Sequence, residues 1–258
     1  MEKVVFITGG AKNTGLAVAE KFASEGYSIA LSTREYFTAD AAVEYLSKKY
    51  GVFCKGYKLE LTDMNDIRFV FSEIKKTFGG LDIFVANSAN LGVEQQVLTI
   101  TEEDFDAVIG ANLKGNFFCA QEAAKIMVEK KKGSIVFIGS VHAHAAIRGR
   151  SIYAASKGGL RSLVNNMAYE LGEYGIRVNS VSPGAVRTDR WNGLTPEEKA
   201  KKRENWPLGI ESTGEDVANA VFYMGTDVSR TVTGTELCID SGVSICLLKY
   251  EGKIRKSN

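Results

Sequence analysis

The 258-residue chain is short of several residue types, and each shortage narrows what it can do. It carries only 3 prolines and no Pro/Gly/Ser-rich stretch of the kind that links domains, and it has no repeat period, so nothing divides residues 1–258 into separate units. There are 2 histidines and 4 cysteines, and Cys54, Cys119, Cys238 and Cys246 lack the spacing of metal ligands. No metal is expected, and reduced thiols in a cytoplasm are the natural setting. Neither sign of charge is in excess: 32 basic residues face 31 acidic ones, which leaves no overall field for nucleic acid. The one local basic cluster, Lys249, Lys253, Arg255 and Lys256, reads as a solvated tail. A spanning run of about 20 apolar residues is missing, as are the n-region and cleavage site of a signal peptide. The expectation is therefore a soluble, cytoplasmic protein with neither a nucleic-acid nor a membrane partner.

What is present is alternation. Val4–Ile7, Ser28–Ser32, Val52–Leu59, Ile83–Ala86, Ser134–Ile138, Arg177–Val181 and Glu236–Ile239 are apolar runs too short for helices and read as strands. Between them, Leu16, Ala19, Phe22 and Ala23, and later Ile67, Val70, Phe71 and Ile74, recur at the spacing of a helix that buries one face. Strands joined by helical crossovers imply an α/β, doubly wound (Rossmann-like), seven-stranded parallel sheet, with ligands bound beyond the carboxyl ends of the strands. Only Thr188–Leu208 breaks the rhythm, with Trp191, Pro196, Trp206 and Pro207, and it reads as an insertion over that site, a lid.

Strand one runs into Thr8-Gly9-Gly10-Ala11-Lys12-Asn13-Thr14-Gly15, where helix one begins near Asn13. A glycine-rich turn leading into a helix N-terminus presents backbone N–H groups to an anion. Gly9, Gly10 and Gly15 allow positive φ and close backbone approach. Asn13 stands where the dinucleotide fingerprint usually has another glycine, and asparagine tolerates the left-handed region better than most residues. About 20 residues on, a dinucleotide fold reads its cofactor with an acid for the ribose diol of NAD or an arginine for the extra phosphate of NADP. Here strand two ends Ser32-Thr33-Arg34-Glu35. Thr33 leaves room for a phosphate, Arg34 pairs with one bidentately and Lys12 adds a second cation, which favours NADP(H). Glu35 holding the diol keeps NAD(H) open, and so does Arg34 as an ordinary surface residue.

Further on come Asn112, Ser140, Tyr153 and Lys157. Tyr153 and Lys157, four apart on a predicted helix, share one face, and an ammonium beside a phenol, with a cationic oxidised nicotinamide next to it, lowers the phenol's pKa from about 10 towards working pH. Tyr45 and Lys49 repeat that spacing, so the spacing alone decides nothing. Only Tyr153 has a serine closing a strand upstream, placed to hydrogen-bond a reacting oxygen while the phenol passes a proton.

These residues resemble the short-chain dehydrogenase/reductase family, in its single-domain members of about this length, over nearly the whole chain. Thr8–Gly15 is similar to its glycine motif, Leu81–Ala89 to its strand-four motif, and Asn112, Ser140, Tyr153 and Lys157 to its catalytic tetrad. Departures are Asn13, and Ala86, Ser88 and Ala89 where the strand-four motif usually reads Asn, Ala and Gly. The resemblance implies an NAD(P)-dependent enzyme that interconverts a carbonyl and a secondary alcohol by hydride transfer. In it, Tyr153 is the acid/base, Lys157 lowers its pKa and binds ribose, Ser140 orients substrate and Asn112 supports a water relay. It also implies cofactor contacts at Gly9, Lys12, Asn13, Thr14, Gly15, Thr33, Arg34, Glu60, Leu61, Asn87, Tyr153, Lys157, Pro183, Gly184 and Thr188. Helices predicted at Leu113–Val128 and Ser151–Leu171 would pair across subunits into a homodimer or homotetramer. Reduction of 3-oxoacyl carrier-protein substrates is one implied role, although Tyr174 stands where a basic docking residue is frequent. Sugars, polyols and steroids are others, and a cofactor sensor without turnover is the reading of another class. His142 and His144 border the expected substrate loop. Arg148, Arg150, Arg187 and Arg190 are candidate anchors for an acidic substrate group, while Trp191 and Trp206 either line an apolar pocket or pin the insertion.

Overall fold

In the computed structural model, the residues described are 2–204 and 206–246, so the basic tail lies outside the described residues. Seven strands, β1 (Val4–Thr8), β2 (Ser28–Thr33), β3 (Cys54–Lys58), β4 (Ile83–Ala86), β5 (Gly133–Ile138), β6 (Ile176–Pro183) and β7 (Glu236–Ile239), form one sheet in the order β3-β2-β1-β4-β5-β6-β7. Every pairing is parallel. Their central members are apolar on both faces because both faces are covered: all five residues of β1 are buried. The chain leaves β1 for β2 and β3 on one side and returns to β4 on the other, so the strand order reverses between β1 and β4. Loops leaving the carboxyl ends of those two strands part there and open a crevice.

The helices are α1 (Asn13–Ser24), α2 (Tyr36–Tyr50), α3 (Met64–Phe78), α4 (Glu102–Ile109), α5 (Asn116–Val128), α6 (Ser151–Leu171), α7 (Asp189–Asn192), α8 (Pro196–Arg203) and α9 (Gly214–Gly225). Helices α3, α5 and α6 bury Phe71, Met127 and Leu160 against Phe6, Phe84 and Phe137 on one face of the sheet. On the other face α1, α2 and α9 bury Phe22, Leu46 and Val221 against Ile7, Leu31 and Val85. In the first layer the Phe71 ring meets Phe6 edge-on at 5.2 Å between centroids and Phe84 edge-on at 5.5 Å, a geometry that aromatic quadrupoles favour. No helix among the described residues is long and apolar enough to cross a membrane.

Three elements differ from the sequence expectation by more than one residue at an end. β3 covers Cys54–Lys58 rather than Val52–Leu59, because β2 offers it pairing partners only from Ile29 to Thr33. β6 runs on to Pro183 rather than ending at Val181, since Ser182 and Pro183 pair with Cys238 and Ile239 of β7. The helix expected from Leu113 begins at Asn116, because Gly110–Gly115 forms a π turn. That turn presses the backbone onto the loop that follows β3: a Cβ on Gly115 would lie 2.3 Å from the Leu61 carbonyl oxygen. A π turn rotates the residues that follow out of regular helical register, and here it carries Asn112 into the interior, at 0% exposure.

The segment 188–208 is helical in two pieces. α8 begins on a capping box between Thr195 and Glu198, with Pro196 in its first turn. Its far end is fastened by Arg203, whose Nε donates to Glu211 Oε2 at 2.6 Å. Arg187 donates through Nε to Glu211 Oε1 at 3.0 Å from the near side, so one carboxylate with a 3%-exposed side chain clasps both arms. The two arginines hold that carboxyl far below the usual range, at about 2. Trp191 is buried, and its ring lies 5.9 Å from that of Trp206.

Because Phe71 fills the centre of the aromatic layer, Phe71→Ala should lower unfolding free energy by about 3–5 kcal/mol. Denaturant titration checks this: the midpoint should fall with the slope unchanged.

Candidate active site

The first part of the site is the turn between β1 and α1. Gly9 takes φ +64° and Asn13 takes φ +48°, so asparagine occupies the left-handed position it was expected to tolerate. Gly10 and Gly15, expected to share that freedom, do not have positive φ. Their lack of a side chain serves close approach instead: a Cβ on Gly15 would lie 2.0 Å from the Gly9 carbonyl oxygen, and one on Gly10 would lie 2.8 Å from Leu31 Cβ. Lys12 at the N-cap gives α1 no side-chain cap and the first turn holds no acid, so its N–H groups and the positive end of the helix are offered outward. Asn87 holds the turn in shape, donating from Nδ2 to the carbonyl oxygens of Thr8 at 2.9 Å and Gly9 at 3.2 Å. This cradle fits the phosphates of a dinucleotide.

At the end of β2, Arg34 and Glu35 are both exposed. Thr33 donates its hydroxyl to the Glu35 carbonyl oxygen, which turns the chain into α2 and leaves the Thr33 side chain engaged locally. Neither Lys12 nor Arg34 forms an ion pair among the described residues. Leu61 is buried in the loop that follows β3, and the carboxylate of the neighbouring Glu60 accepts from Thr62 N at 3.1 Å.

The second part lies where β5, the π turn and α6 meet. Lys157 is 2% exposed, and its Nζ donates to the carbonyl oxygen of Ile138, the last residue of β5, at 2.7 Å. Burial pushes the amine down to about 8. Asn112 Nδ2 donates to the Asn90 carbonyl oxygen at 2.8 Å and to Ser156 Oγ at 3.1 Å, while its Oδ1 accepts from Asn90 N at 2.6 Å. Ser156 passes the tie on, donating to the Tyr153 carbonyl oxygen at 2.7 Å. Ser140 Oγ accepts from His142 N at 3.2 Å, which closes a short 3-10 turn over the end of β5. Asn112, Ser140, Tyr153 and Lys157 are thus joined through three elements.

Among the chain's own groups, burial is the largest influence on Tyr153. Burial pushes the phenol above its ordinary value, and a hydrogen bond with Ser140 and the charge of Arg150 only partly offset this. The Lys157 ammonium stands 5.6 Å from the centre of the tyrosine ring and is turned to Ile138. The surface pair with the same spacing behaves in the opposite way: Lys49 Nζ donates directly to Tyr45 Oη at 2.7 Å.

Several other candidates have duties elsewhere. Arg150 donates from one nitrogen to the carbonyl oxygens of Leu91 at 3.0 Å and Gly92 at 3.1 Å. Arg187 belongs to the Glu211 clasp, Arg148 is exposed and the Arg190 side chain is outside the described part. His144 Nε2 lies 2.8 Å from Glu236 Oε2 and, with Cys238, forms a group whose ligand-type atoms lie within 4.8 Å of one another. That carboxylate is already held by Arg161 at 3.0 Å and by the Ser182 hydroxyl. Gly184 packs tightly, a Cβ there lying 2.9 Å from Asp240 Cα, and Thr188 and Pro183 border the start of the inserted segment. Sequence reasoning missed Asn90, Ser156, Glu211 and the Ile138 carbonyl, since backbone acceptors and partners joined only by folding leave no spacing to read.

Comparison with known proteins agrees with this geometry. Residues 9–244 match the family model described as enoyl-(acyl carrier protein) reductase. Sorbose reductase of Candida albicans is 34% identical over 243 residues, covering 93% of this chain and 86% of that protein. A 3-oxoacyl-[acyl-carrier-protein] reductase of Aquifex aeolicus is 32% identical over 241 residues, 93% of this chain and 97% of its own. The solved structure of a short-chain type dehydrogenase/reductase from Mycobacterium marinum superposes with a TM-score of 0.86 at 29% identity, covering 93% of this chain and 95% of that one.

The lysine gives a measurable sign. Its folded pKa, about 8, is below the ordinary 10.5, so between those values the unfolded chain binds the extra proton and stability rises with pH. Below pH 8 both states are protonated and the contribution is constant. Tyr153, raised above 10.0, opposes the rise only beyond pH 10. Denaturation between pH 8 and pH 10 should show a component rising by at most about 1.4 kcal/mol per pH unit that Lys157→Met removes.

Proposed function

The chain belongs to the short-chain dehydrogenase/reductase family, an oxidoreductase of the carbonyl–alcohol type, and we propose that it is an NADP(H)-dependent carbonyl reductase or secondary-alcohol dehydrogenase with Tyr153 as its acid/base. The observation that carries the reading is the joining of Tyr153, Lys157, Ser140 and Asn112 where β5, the π turn and α6 meet at the carboxyl end of the sheet. A bound nicotinamide supplies or accepts the hydride. Tyr153 donates its phenolic proton to the substrate oxygen on reduction and takes it back on oxidation, beside the Ser140 hydroxyl that shares the same oxygen. With its pKa raised, the phenol is protonated at neutral pH and ready for reduction. Lys157 fixes the distance between α6 and the end of β5. Asn112 acts as a positioning residue, its amide wholly engaged by Asn90 and Ser156.

For the cofactor, Gly9, Lys12, Asn13, Thr14 and Gly15 cradle phosphate, Asn87 holds that cradle, and Glu60 and Leu61 lie in the loop that follows β3 as adenine neighbours. Pro183, Gly184 and Thr188 border the nicotinamide side. NADP(H) is supported over NAD(H) by Lys12 and Arg34, two cations outside any ion pair among the described residues. Glu35 is the feature that supports NAD(H). The substrate is a small carbonyl or alcohol compound, covered by the segment near 188–208. Four free thiols, two of them buried, support a reducing, cytoplasmic setting. Between α5 and α6 runs a groove of about 530 Å³ lined by Leu113, Phe117, Phe118 and Leu163, which supports pairing of subunits as a homodimer or homotetramer.

Tyr153→Phe should cut turnover of a ketone panel by about 10²–10⁴-fold with cofactor binding retained, as measured by NADPH oxidation alongside fluorescence titration. Activity at the wild-type level would sink the assignment; cofactor binding without turnover by the wild-type protein would favour a sensor. Arg34→Ala should weaken NADPH at least tenfold and leave NADH unmoved. Light scattering should return a multiple of the 28.1 kDa chain, and a monomer would count against the pairing.

A further inference from the structure

We propose that His144, Glu236 and Cys238 form a site for a divalent transition-metal ion of the zinc class, with the ion bridging the turn after β5 to strand β7. The site shares no residue with the reaction proposed above and does not rest on that reading.

Topology assembles the set. Glu236 and Cys238 stand two apart on β7, so both side chains point to the same face of the sheet. His144 comes to that face from the 3-10 turn that follows β5, its backbone N–H donating to the Val141 carbonyl oxygen at 3.0 Å. Its Nε2 lies 2.8 Å from Glu236 Oε2, and the nitrogen, the carboxylate oxygen and the thiol sulfur all lie within 4.8 Å of one another. Along the chain 92 residues separate the histidine from the glutamate, so no spacing displays the set. Donors around one tetrahedral zinc ion are about 3.3–3.8 Å apart. His144 and Cys238 are exposed, so rotation of their side chains closes the remaining distance.

The donors select the ion. A thiolate and an imidazole suit zinc and the cobalt(II) that takes the same ligands, whereas magnesium and calcium take oxygen. Three protein donors leave a fourth position for water. On binding, Cys238 gives its thiol proton to solvent, and sulfur, nitrogen and oxygen each form a bond to the ion. The Ser182 hydroxyl prepares the carboxylate by donating to Glu236 Oε1, which leaves Oε2 facing the histidine. A hydrogen bond that orients a ligand in this way carries a large part of a metal site's affinity. Asp240, next along the chain, is occupied by the N–H groups of Gly242 at 3.0 Å and Ser244 at 2.8 Å and is not a ligand. Arg161 is the resident cation, its Nε donating to Glu236 Oε2 at 3.0 Å from a side chain that is 57% exposed. That side chain turns out to solvent at little cost, and the ion then replaces the charge it lent to Glu236.

The test uses the untagged protein and zinc alone. Calorimetry should show one saturable site per chain. Cobalt(II) should give a thiolate-to-metal charge-transfer band that zinc abolishes. Cys238→Ser and His144→Asn should each remove the site while Cys246→Ser keeps it; unchanged circular dichroism shows that these exposed positions leave the fold intact. Ser182→Ala should weaken zinc about 10–100-fold. Arg161→Gln should tighten it about tenfold by removing the competing donor, a direction that damage to the fold does not produce. Zinc binding that survives Cys238→Ser, a cobalt complex without the thiolate band, or no saturable binding at all would overturn the proposal, and each of these results leaves the oxidoreductase reading untouched.

Discussion

A buried lysine fixes the geometry on which the candidate site depends. Lys157 has lost its water, and taking an ammonium out of solvent is costly unless an acceptor replaces what was lost. The replacement is the Ile138 carbonyl oxygen, the last acceptor of β5. Ser140 follows that carbonyl by two residues and Tyr153 precedes the lysine by one helical turn. The single bond therefore sets the separation of strand end and helix, and with it the separation of hydroxyl and phenol. The Asn112–Ser156–Tyr153 chain adds a second tie from the π turn, so α6 is held at its first turn from two directions.

Environment, and not spacing, separates the two Tyr–Lys pairs. On the surface, Lys49 bonds Tyr45 directly and both share Glu20 as the neutralising partner, which is ordinary solvated chemistry. In the interior, Lys157 has no carboxylate partner among the described residues, the pKa of its amine is lowered and that of the tyrosine beside it is raised. Both shifts have desolvation as their first cause, and desolvation acts in opposite senses on an acid that is neutral when protonated and a base that is charged when protonated. The same motif is an external decoration in one place and a tuned pair in the other.

This explains which parts of the molecule were legible in the sequence. The sheet was legible because buried parallel strands must be apolar on both faces, which leaves short hydrophobic runs that no amphipathic helix would have. The β1–α1 turn was legible in outline, since Gly9 and Asn13 are residue types that positive φ selects; the separate duty of Gly10 and Gly15, close approach without positive φ, depends on where neighbouring chain segments pass. The π turn was hidden, because Leu113–Val128 was expected as one helix and the close approach of Gly115 to Leu61 exists only in the folded chain. The part that burial plays at Tyr153 was not legible, because how deeply the phenol is enclosed depends on the fold. Asn112 was found by its place in the order Asn, Ser, Tyr, Lys, while its partners Asn90 and Ser156 carry no signal until the chain is folded.

Burial of the phenol bears on the proposed reaction. With Tyr153 as the proposed acid/base, reduction of a carbonyl calls for a proton on it, and a phenol raised by burial above its ordinary value is protonated across the neutral range. Oxidation of an alcohol calls for the phenolate, which the same burial penalises. The cations this chain itself sets near the ring are Arg150, tied to the loop after β4, and Lys157, which is half protonated near pH 8. Raising the pH to make the phenolate thus removes one of the charges that would stabilise it. The chain's own side chains thus favour the protonated phenol, and the phenolate needs positive charge that they supply only in part.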